Sequence, residues 1–298
     1  MRAHAASRSS TSRHAAADVP RLAPAAGAAP MILLDPLARP VIGHRGNRAH
    51  APENTIESFL EAVALGADAL EFDLRLSRDG RLMVFHDATL ERTTDGQGAL
   101  EQRSLAELKA LDAGANFTRD GGRSFPWRGR GVRVPAFDEL IAALPRQLPC
   151  IIELKTPAAT EPLREAVRRH NLAPRIVVAG FDARCTRPLR GAGFALGAST
   201  RDVAALLPAA LLRLRAAPRH VQALCIPPRW HGLPVPIAGL ARAVRGSGTV
   251  LHVWTVNEPA QAAALWSIGV QGIISDDPAR MLSTRAQAGA SNHPQETP

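Results

Sequence analysis

The stretch 69-ALEFDLRLSRDGRLMVFHD-87 decides the fold. Its two apolar runs, 69-ALEFDL and 82-LMVFHD, have strand length and are separated only by the turn region Ser77-Arg78-Asp79-Gly80. A parallel pair needs a crossover of a dozen residues or more, so these two strands are predicted to be antiparallel neighbours. Outward from this hairpin the pattern changes. Short apolar runs at 41-VIGHRG, 150-CIIELK, 175-RIVVAGF, 194-FALGAS, 223-ALCIPP, 249-TVLHVWTVN and 272-GIISD alternate with alanine- and leucine-rich helical stretches. That alternation is the signature of repeated βα units around a parallel sheet. Nine runs are one more than an eight-stranded barrel uses, and the run at 82–87 is read as an excursion that brings His86 back to the site. No glycine-rich dinucleotide fingerprint follows the first strand. The expected fold is therefore a (β/α)8 TIM barrel with an antiparallel hairpin excursion after strand 2, rather than an open doubly wound sheet.

The chain has 298 residues, 46% hydrophobic and 21% charged, enough to bury a large core. No stretch of 18 apolar residues occurs, which excludes a transmembrane segment by helix. The formal charge is +9, and Lys109 and Lys155 are the only lysines among 36 basic residues. The arginines are scattered, there is no tyrosine and aromatic content is 4%, so nucleic acid is not the expected partner. An anionic small molecule is. The three cysteines, Cys150, Cys185 and Cys225, lack the close pairing of a zinc or redox site and are read as buried thiols in a reducing, cytoplasmic setting. Residues 1–35 are expected to be a disordered N-terminal tail, with an arginine-rich, acid-poor start that also has transit-peptide character. Residues 36–282 are expected to form one barrel domain and residues 283–298 a disordered C-terminal tail. Nothing in the sequence fixes the oligomeric state.

A strand buried on both faces should be apolar throughout, yet four runs end in ionisable groups, where barrels keep their chemistry. Glu71 and Asp73 lie two apart, on one strand face and about 6.6 Å apart along the backbone. Leu70, Phe72 and Leu74 face the other way. Glu153 and Lys155 share a face by the same counting. Adjacent carboxylates repel unless a cation or proton sits between them. Three carboxylates without a nearby cysteine form a hard oxygen site, suited to Mg²⁺ or Ca²⁺ rather than zinc. His44 and His86 close two apolar strands, and a histidine pair can share proton removal and proton donation at phosphorus. Arg45 and Lys155 would neutralise phosphate oxygens. Taken singly, each feature has a plainer reading as a solvated barrel mouth or a same-face ion pair; four strand ends together point to a shared site. The neighbours Arg45 and Asp87 suggest His44 as base and His86 as acid, although adjacent strand residues face opposite ways. His252, mid-strand, is read as a hydrogen-bonded core residue.

These residues, with HRGN (44–47), APENTIESF (51–59), VFHDATLERTTDGQG (84–98), WTVNE (254–258) and GVQGIISDDP (269–278), give the chain a strong resemblance to the glycerophosphodiester phosphodiesterase family. That family belongs to the barrel superfamily of the phosphatidylinositol-specific phospholipases C. The resemblance implies His44 and His86 as the acid/base pair, Glu71, Asp73 and Glu153 as ligands of a divalent metal, and Arg45 and Lys155 as phosphate contacts. Glu53, Asn54 and Trp254 would shape the pocket; the plainer readings are helix capping for Glu53 or Asn54 and core filling for Trp254. The implied reaction releases sn-glycerol 3-phosphate and an alcohol. A lysophospholipase D-like enzyme and a non-catalytic phosphodiester-binding barrel are the alternatives, and the latter predicts loss of a site residue that is not seen. Gln271, and Ala179-Gly180 before Phe181, depart from the family pattern at what would be the pocket rim. The segment 112–134 is longer and more basic than the resemblance leads one to expect. It is either a lid carrying Phe125 or Trp127, with arginines that draw in an anionic diester, or a solvated loop.

Overall fold

A computed structural model describes residues 31–290, in which eleven strands form. They are β1 (Val41–His44), β2 (Ala69–Leu76), β3 (Leu82–Val84), β4 (Cys150–Leu154), β5 (Ile176–Ala179), β6 (Ala195–Leu196), β7 (Ala223–Ile226), β8 (Arg229–Trp230), β9 (Leu233–Pro234), β10 (Val250–Val253) and β11 (Gly272–Ser275). Eight of them run parallel in the order β6-β5-β4-β2-β1-β11-β10-β7. A parallel bridge from Gly197 to Ala223 joins the two ends of this ring. Strand β3 pairs antiparallel with β2, Leu74 opposite Val84 and Leu76 opposite Leu82, as the short turn requires. All nine expected runs are strands. The short hairpin β8–β9 is an addition that the apolar pattern does not announce.

The main helices are α1 (Ile56–Ala64), α2 (Leu105–Ala110), α3 (Phe137–Ala143), α4 (Thr160–His170), α5 (Ala183–Thr186), α6 (Thr200–Leu211), α7 (Ile237–Val244), α8 (Pro259–Ser267) and α9 (Pro278–Ala290). Strand alternation divides the core into two shells. Leu70, Phe72 and Leu74 face outward and pack with Phe59, Phe137 and Leu140 of the surrounding helices. Ile42, Ala69, Ile151, Val177, Ala223, Val250 and Ile274 face inward and fill the lower barrel. One inward step further along β1, β2 and β4 stand His44, Glu71 and Glu153. The barrel is thus apolar below and ionisable above.

Two boundaries differ from the sequence reading. Met31–Leu34 are not tail: a single 3-10 turn, Ile32–Leu34, buries Leu33 completely against the barrel interior. At the other end, α9 runs to Ala290, through residues expected to be disordered. Its small polar side chains satisfy the helix itself, Ser283 and Thr284 donating to the carbonyls of Ala279 and Arg280. Arg285 ties the helix to the Arg39 carbonyl at 2.9 Å and to Asp68. The expected tail segments 1–30 and 291–298 lie outside the described residues. Among the described residues no helix is long and apolar enough to cross a membrane. The cysteines are all unpaired, with Cys150 and Cys185 buried; Cys225 is only partly so, facing the barrel cavity.

The segment 112–134 is a loop stapled by its own side chains and set away from the cavity. Asp112 accepts from the amides of Gly114 and Gly129, and the Arg128 guanidinium lies 3.8 Å over the Phe125 ring. Trp127 donates to the His50 carbonyl at 3.3 Å. None of these residues lines the cavity described below. Gln271 sits at the base of β11, not at the rim. Its side chain accepts from the Leu251 amide at 2.8 Å and donates to the Gly269 carbonyl.

His252 is fully buried, as expected, and donates from Nε2 to the Leu33 carbonyl at 2.9 Å. Its ring occupies the space a side chain on Gly272 would need, since a Cβ there would lie 2.1 Å from Nδ1. Burial pushes its pKa from 6.5 down to about 4. A base whose folded pKa is depressed binds fewer protons than in the unfolded chain, so its contribution is complete above pH 6.5 and is lost as pH falls toward 4. The displacement is worth about 3 kcal/mol. Urea titrations at pH 7 and pH 4 should therefore show a His252→Gln variant losing about 3 kcal/mol less stability over that range than the parent; equal losses would refute the assignment.

Candidate active site

The sequence HRGN builds the first wall. His44 ends β1 pointing inward, and Arg45 then takes a left-handed conformation, φ 55°, which breaks strand alternation. Its side chain consequently turns to the same site as His44 instead of away from it. Gly46 must be glycine, because a Cβ there would lie 2.4 Å from the Ser58 hydroxyl and against the backbone of α1. Helix α1 is capped by Thr55, which accepts from the Ser58 amide, so neither Glu53 nor Asn54 is the cap. Both are released for the site. Asn54, itself left-handed at φ 57°, donates to Asp73 Oδ2 at 2.9 Å.

Glu71, Asp73 and Glu153 converge, offering ligand oxygens that all lie within 4.8 Å of one another. Lys155 Nζ lies 2.9 Å from Asp73 and 2.5 Å from Glu153, and Arg45 Nε lies 3.1 Å from Asp73. The three carboxyls do not behave alike. Burial, reinforced by the charge of Asp73, drives Glu71 well above the usual carboxylate range and raises Glu153. Burial also works against Asp73, but Lys155 and Arg45 beside it hold its pKa low. Two cations thus face three carboxylates, Lys155 shared between Asp73 and Glu153 and Arg45 against Asp73. All-oxygen donors, buried and under-compensated, fit a hard divalent cation.

Both histidines line one cavity with Arg45, Glu71, Glu153, Lys155, Phe181 and Trp254. His44 Nδ1 lies 2.6 Å from Asp276, with Nε2 turned toward Glu71 at 3.9 Å. His86 Nδ1 lies 2.5 Å from Asp87. Burial lowers the pKa of both rings; the hydrogen bond from His44 to Asp276 opposes this for His44, and the charge of Asp73 opposes it for His86. Because each ring has its own aspartate, the Arg45/Asp87 contrast does not separate a base from an acid, correcting the inference from chain neighbours. Trp254 borders the cavity and also packs against the inward core.

Residues 44–280 match the Glycerophosphoryl diester phosphodiesterase family. The chain belongs to this family. A glycerophosphodiester phosphodiesterase of Caldanaerobacter subterraneus is 30% identical over 84% of this chain and 98% of its own length. One from Bacillus subtilis is 28% identical over 83% and 86%. Among solved structures, a glycerophosphodiester phosphodiesterase from Agrobacterium tumefaciens superposes with a TM-score of 0.66 and 26% identity, over 82% of this chain and 99% of that one. An Oleispira antarctica phosphodiesterase, solved with its product sn-glycerol-3-phosphate, shares the fold at a TM-score of 0.65 and 24% identity, over 84% and 97%. The chain is thus a phosphoric diester hydrolase of this family.

Sequence reasoning named Glu53 as shaping the pocket but missed Arg48, Arg92, Asn257 and Asp276 behind the site. Glu53 accepts from Arg45 Nη1 at 2.8 Å, Arg48 Nε at 2.9 Å and Arg92 Nη1 at 2.7 Å. Arg48 continues to Asp276 at 3.2 Å, and Arg92 continues to Asp87. One carboxylate thereby braces both histidine–aspartate pairs. Asn257 completes the arrangement, donating to Asp276 Oδ2 at 2.9 Å while its oxygen accepts from the Asp276 amide. Asp276 ends the last strand just as the recognised site residues end theirs, and that signal was available; Arg48 and Arg92 sit in loops with no pattern to mark them.

Asp276 accepts from His44 Nδ1 at 2.6 Å, which leaves Nε2 turned toward Glu71 on the cavity side. Asp276→Asn should lower kcat by about two to four orders of magnitude with KM changed only a few-fold, since the amide can support the wrong tautomer. Steady-state kinetics with a glycerophosphodiester check this, and a loss confined to KM would contradict it.

Proposed function

We propose that this chain hydrolyses glycerophosphodiesters to sn-glycerol 3-phosphate and an alcohol, using a divalent ion, Mg²⁺ or Ca²⁺, held by Glu71, Asp73 and Glu153. The observation that carries the reading is the under-compensated carboxylate cluster opening into the same cavity as two aspartate-held histidines. The sn-glycerol-3-phosphate product held by the Oleispira antarctica phosphodiesterase supports the substrate class. When bound, the ion polarises the phosphoryl oxygen and balances charge that develops on it.

The chain's own groups do the rest. Lys155 and Arg45 supply fixed positive charge on the cavity wall, where low dielectric strengthens their pull on a phosphate. Asn54 and Arg45 both hold Asp73 Oδ2 while Lys155 takes Oδ1, so this carboxylate is fixed through both oxygens. Of His44 and His86, one takes the proton of the attacking hydroxyl and the other returns a proton to the leaving alkoxide. Each transfer is worth ~10² to 10⁴ in rate. With Nδ1 fixed to an aspartate, Nε2 of each ring is the atom free to exchange it. Trp254 borders the organic part of the substrate. The unpaired thiols suit a reducing compartment, and we assign the enzyme to the cytoplasm.

Two experiments test this reading. Glu71→Gln should abolish bound metal and activity together while leaving the circular dichroism spectrum and melting temperature near the parent's; full metal occupancy in that variant would sink the ligand assignment. In the second, His44→Ala and His86→Ala are compared on a glycerophosphodiester of a poor leaving group and on a nitrophenyl phosphodiester. The variant lacking the acid should recover most of its rate on the nitrophenyl substrate, because that leaving group needs no proton. Equal losses for both variants on both substrates would overturn the paired acid/base role.

A further inference from the structure

The barrel mouth has two chemically distinct halves. Strands β4, β2, β1 and β11 bring the carboxylates, Lys155, His44 and Asp276 to one side. Strands β5, β6 and β7 bring Ala179, Ala198 and Cys225 to the other, so the floor there is made of small, uncharged groups, and β10 leads into Trp254. Above this floor stand three aromatic rings. Phe181 lies 5.7 Å from Trp254 in an edge contact and 5.2 Å from Trp230 in a stacked one. Phe181 remains 38% exposed and Trp230 37%.

Trp230 is brought there by the hairpin β8–β9. Its two-residue turn, His231-Gly232, has positive φ at both positions, 47° and 81°, the backbone of a tight hairpin with matched twist. Trp230 lies opposite Leu233 in the ladder, and cross-strand partners share a face. Leu233 is 71% exposed. The hairpin therefore extends an apolar surface from the cavity outward. The carboxylates that line the cavity, Glu71 and Glu153, both belong to the other half, and this rim instead carries Arg229 and His231. A contiguous exposed apolar surface beside a reaction site marks a place that a ligand covers. No carboxylate lines this half of the cavity, and Asp182 beside Phe181 is paired to Arg184, which favours a neutral apolar group over a cationic one.

We propose that this aromatic half is a subsite for an apolar alcohol moiety, so that the enzyme prefers glycerophosphodiesters whose alcohol is a hydrocarbon over those with a small or cationic head group. Phosphate and glycerol occupy the charged half, and the hydrocarbon runs along Trp254 and Phe181 toward Trp230 and Leu233. This inference rests on the phosphodiesterase reading above.

The test is a series of sn-glycerol 3-phosphate n-alkyl esters from methyl to octyl, assayed with Mg²⁺ or Ca²⁺ for release of sn-glycerol 3-phosphate. A fully buried methylene is worth roughly fourfold in affinity. The covering of two or three should raise kcat/KM about ten- to fiftyfold along the series. Trp230→Ala and Leu233→Ser, both on the exposed hairpin, should flatten that rise while leaving kcat/KM for the methyl ester within about twofold. The choline ester and its neutral carbon isostere, the 3,3-dimethylbutyl ester, separate apolar from cationic recognition, and the isostere should be the better substrate. A flat alkyl series with a methyl ester that is turned over normally would overturn the subsite alone. So would a rise unaffected by Trp230→Ala, or a clear preference for the choline ester. Failure to hydrolyse any ester would bring down the phosphodiesterase reading and the subsite with it.

Discussion

Repulsion among three clustered carboxylates, Glu71, Asp73 and Glu153, governs the upper barrel. At 4.8 Å and an effective dielectric of about 20, each pair of negative charges costs about 3 kcal/mol. Arg45 and Lys155 are the cations in direct contact, and Arg45 is shared with Glu53. Only Asp73 is fully held in its charged form by them. Burial first, and then the charge of Asp73, raises the pKa of Glu71 and Glu153. A fold that keeps such a cluster sacrifices stability at this spot, and the same cluster offers oxygens close enough together to hold one metal ion. The cost is tolerable because the lower barrel is apolar and closed by Leu33, which keeps the unbalanced charge to one end.

Pleat geometry is what allows one strand to serve both ends. In β2 the outward residues Leu70, Phe72 and Leu74 anchor to helices while the inward residues climb from Ala69 to Glu71 to Asp73. A shift of one residue would put the carboxylates among Phe59 and Phe137 and the leucines in the cavity, so register is fixed by the hydrophobic core and the site inherits it. The hairpin to β3 then delivers His86 to the same cavity from beyond the barrel wall. Arg75 donates to the His86 carbonyl at 2.8 Å and fixes the end of that excursion.

Around this centre the arginines have a structural task as much as an electrostatic one. A planar guanidinium can hold two carboxylates at once in defined directions, which an ammonium cannot. Arg48 joins Glu53 to Asp276, and Arg92 joins Glu53 to Asp87. The histidines arrive on separate elements, β1 and the segment after β3, yet their aspartates are cross-linked through one glutamate. Burial works against the charge of Glu53, but Arg92 and the other two guanidiniums hold it far below the usual carboxylate range, so it stays ionised and keeps the brace intact.

Much of this was legible in the chain itself. Alternation within 69-ALEFDL put Glu71 and Asp73 on one face, the short SRDG turn forced β3 to be antiparallel, and ionisable groups at strand ends marked His44, His86, Glu153 and Lys155, because each of these signals depends on residues only a few positions apart. Tertiary structure decided what depends on backbone turns and on contacts distant in sequence. The left-handed Arg45 turned toward the site against strand alternation, Thr55 took the cap and freed Glu53 and Asn54, and Asp276 reached His44 from 232 positions away. Glu53 gathered arginines from three places in the chain, and the Trp230 hairpin folded back onto Phe181. Local pattern specifies which face a side chain occupies; only closure of the barrel specifies which other side chains it meets there.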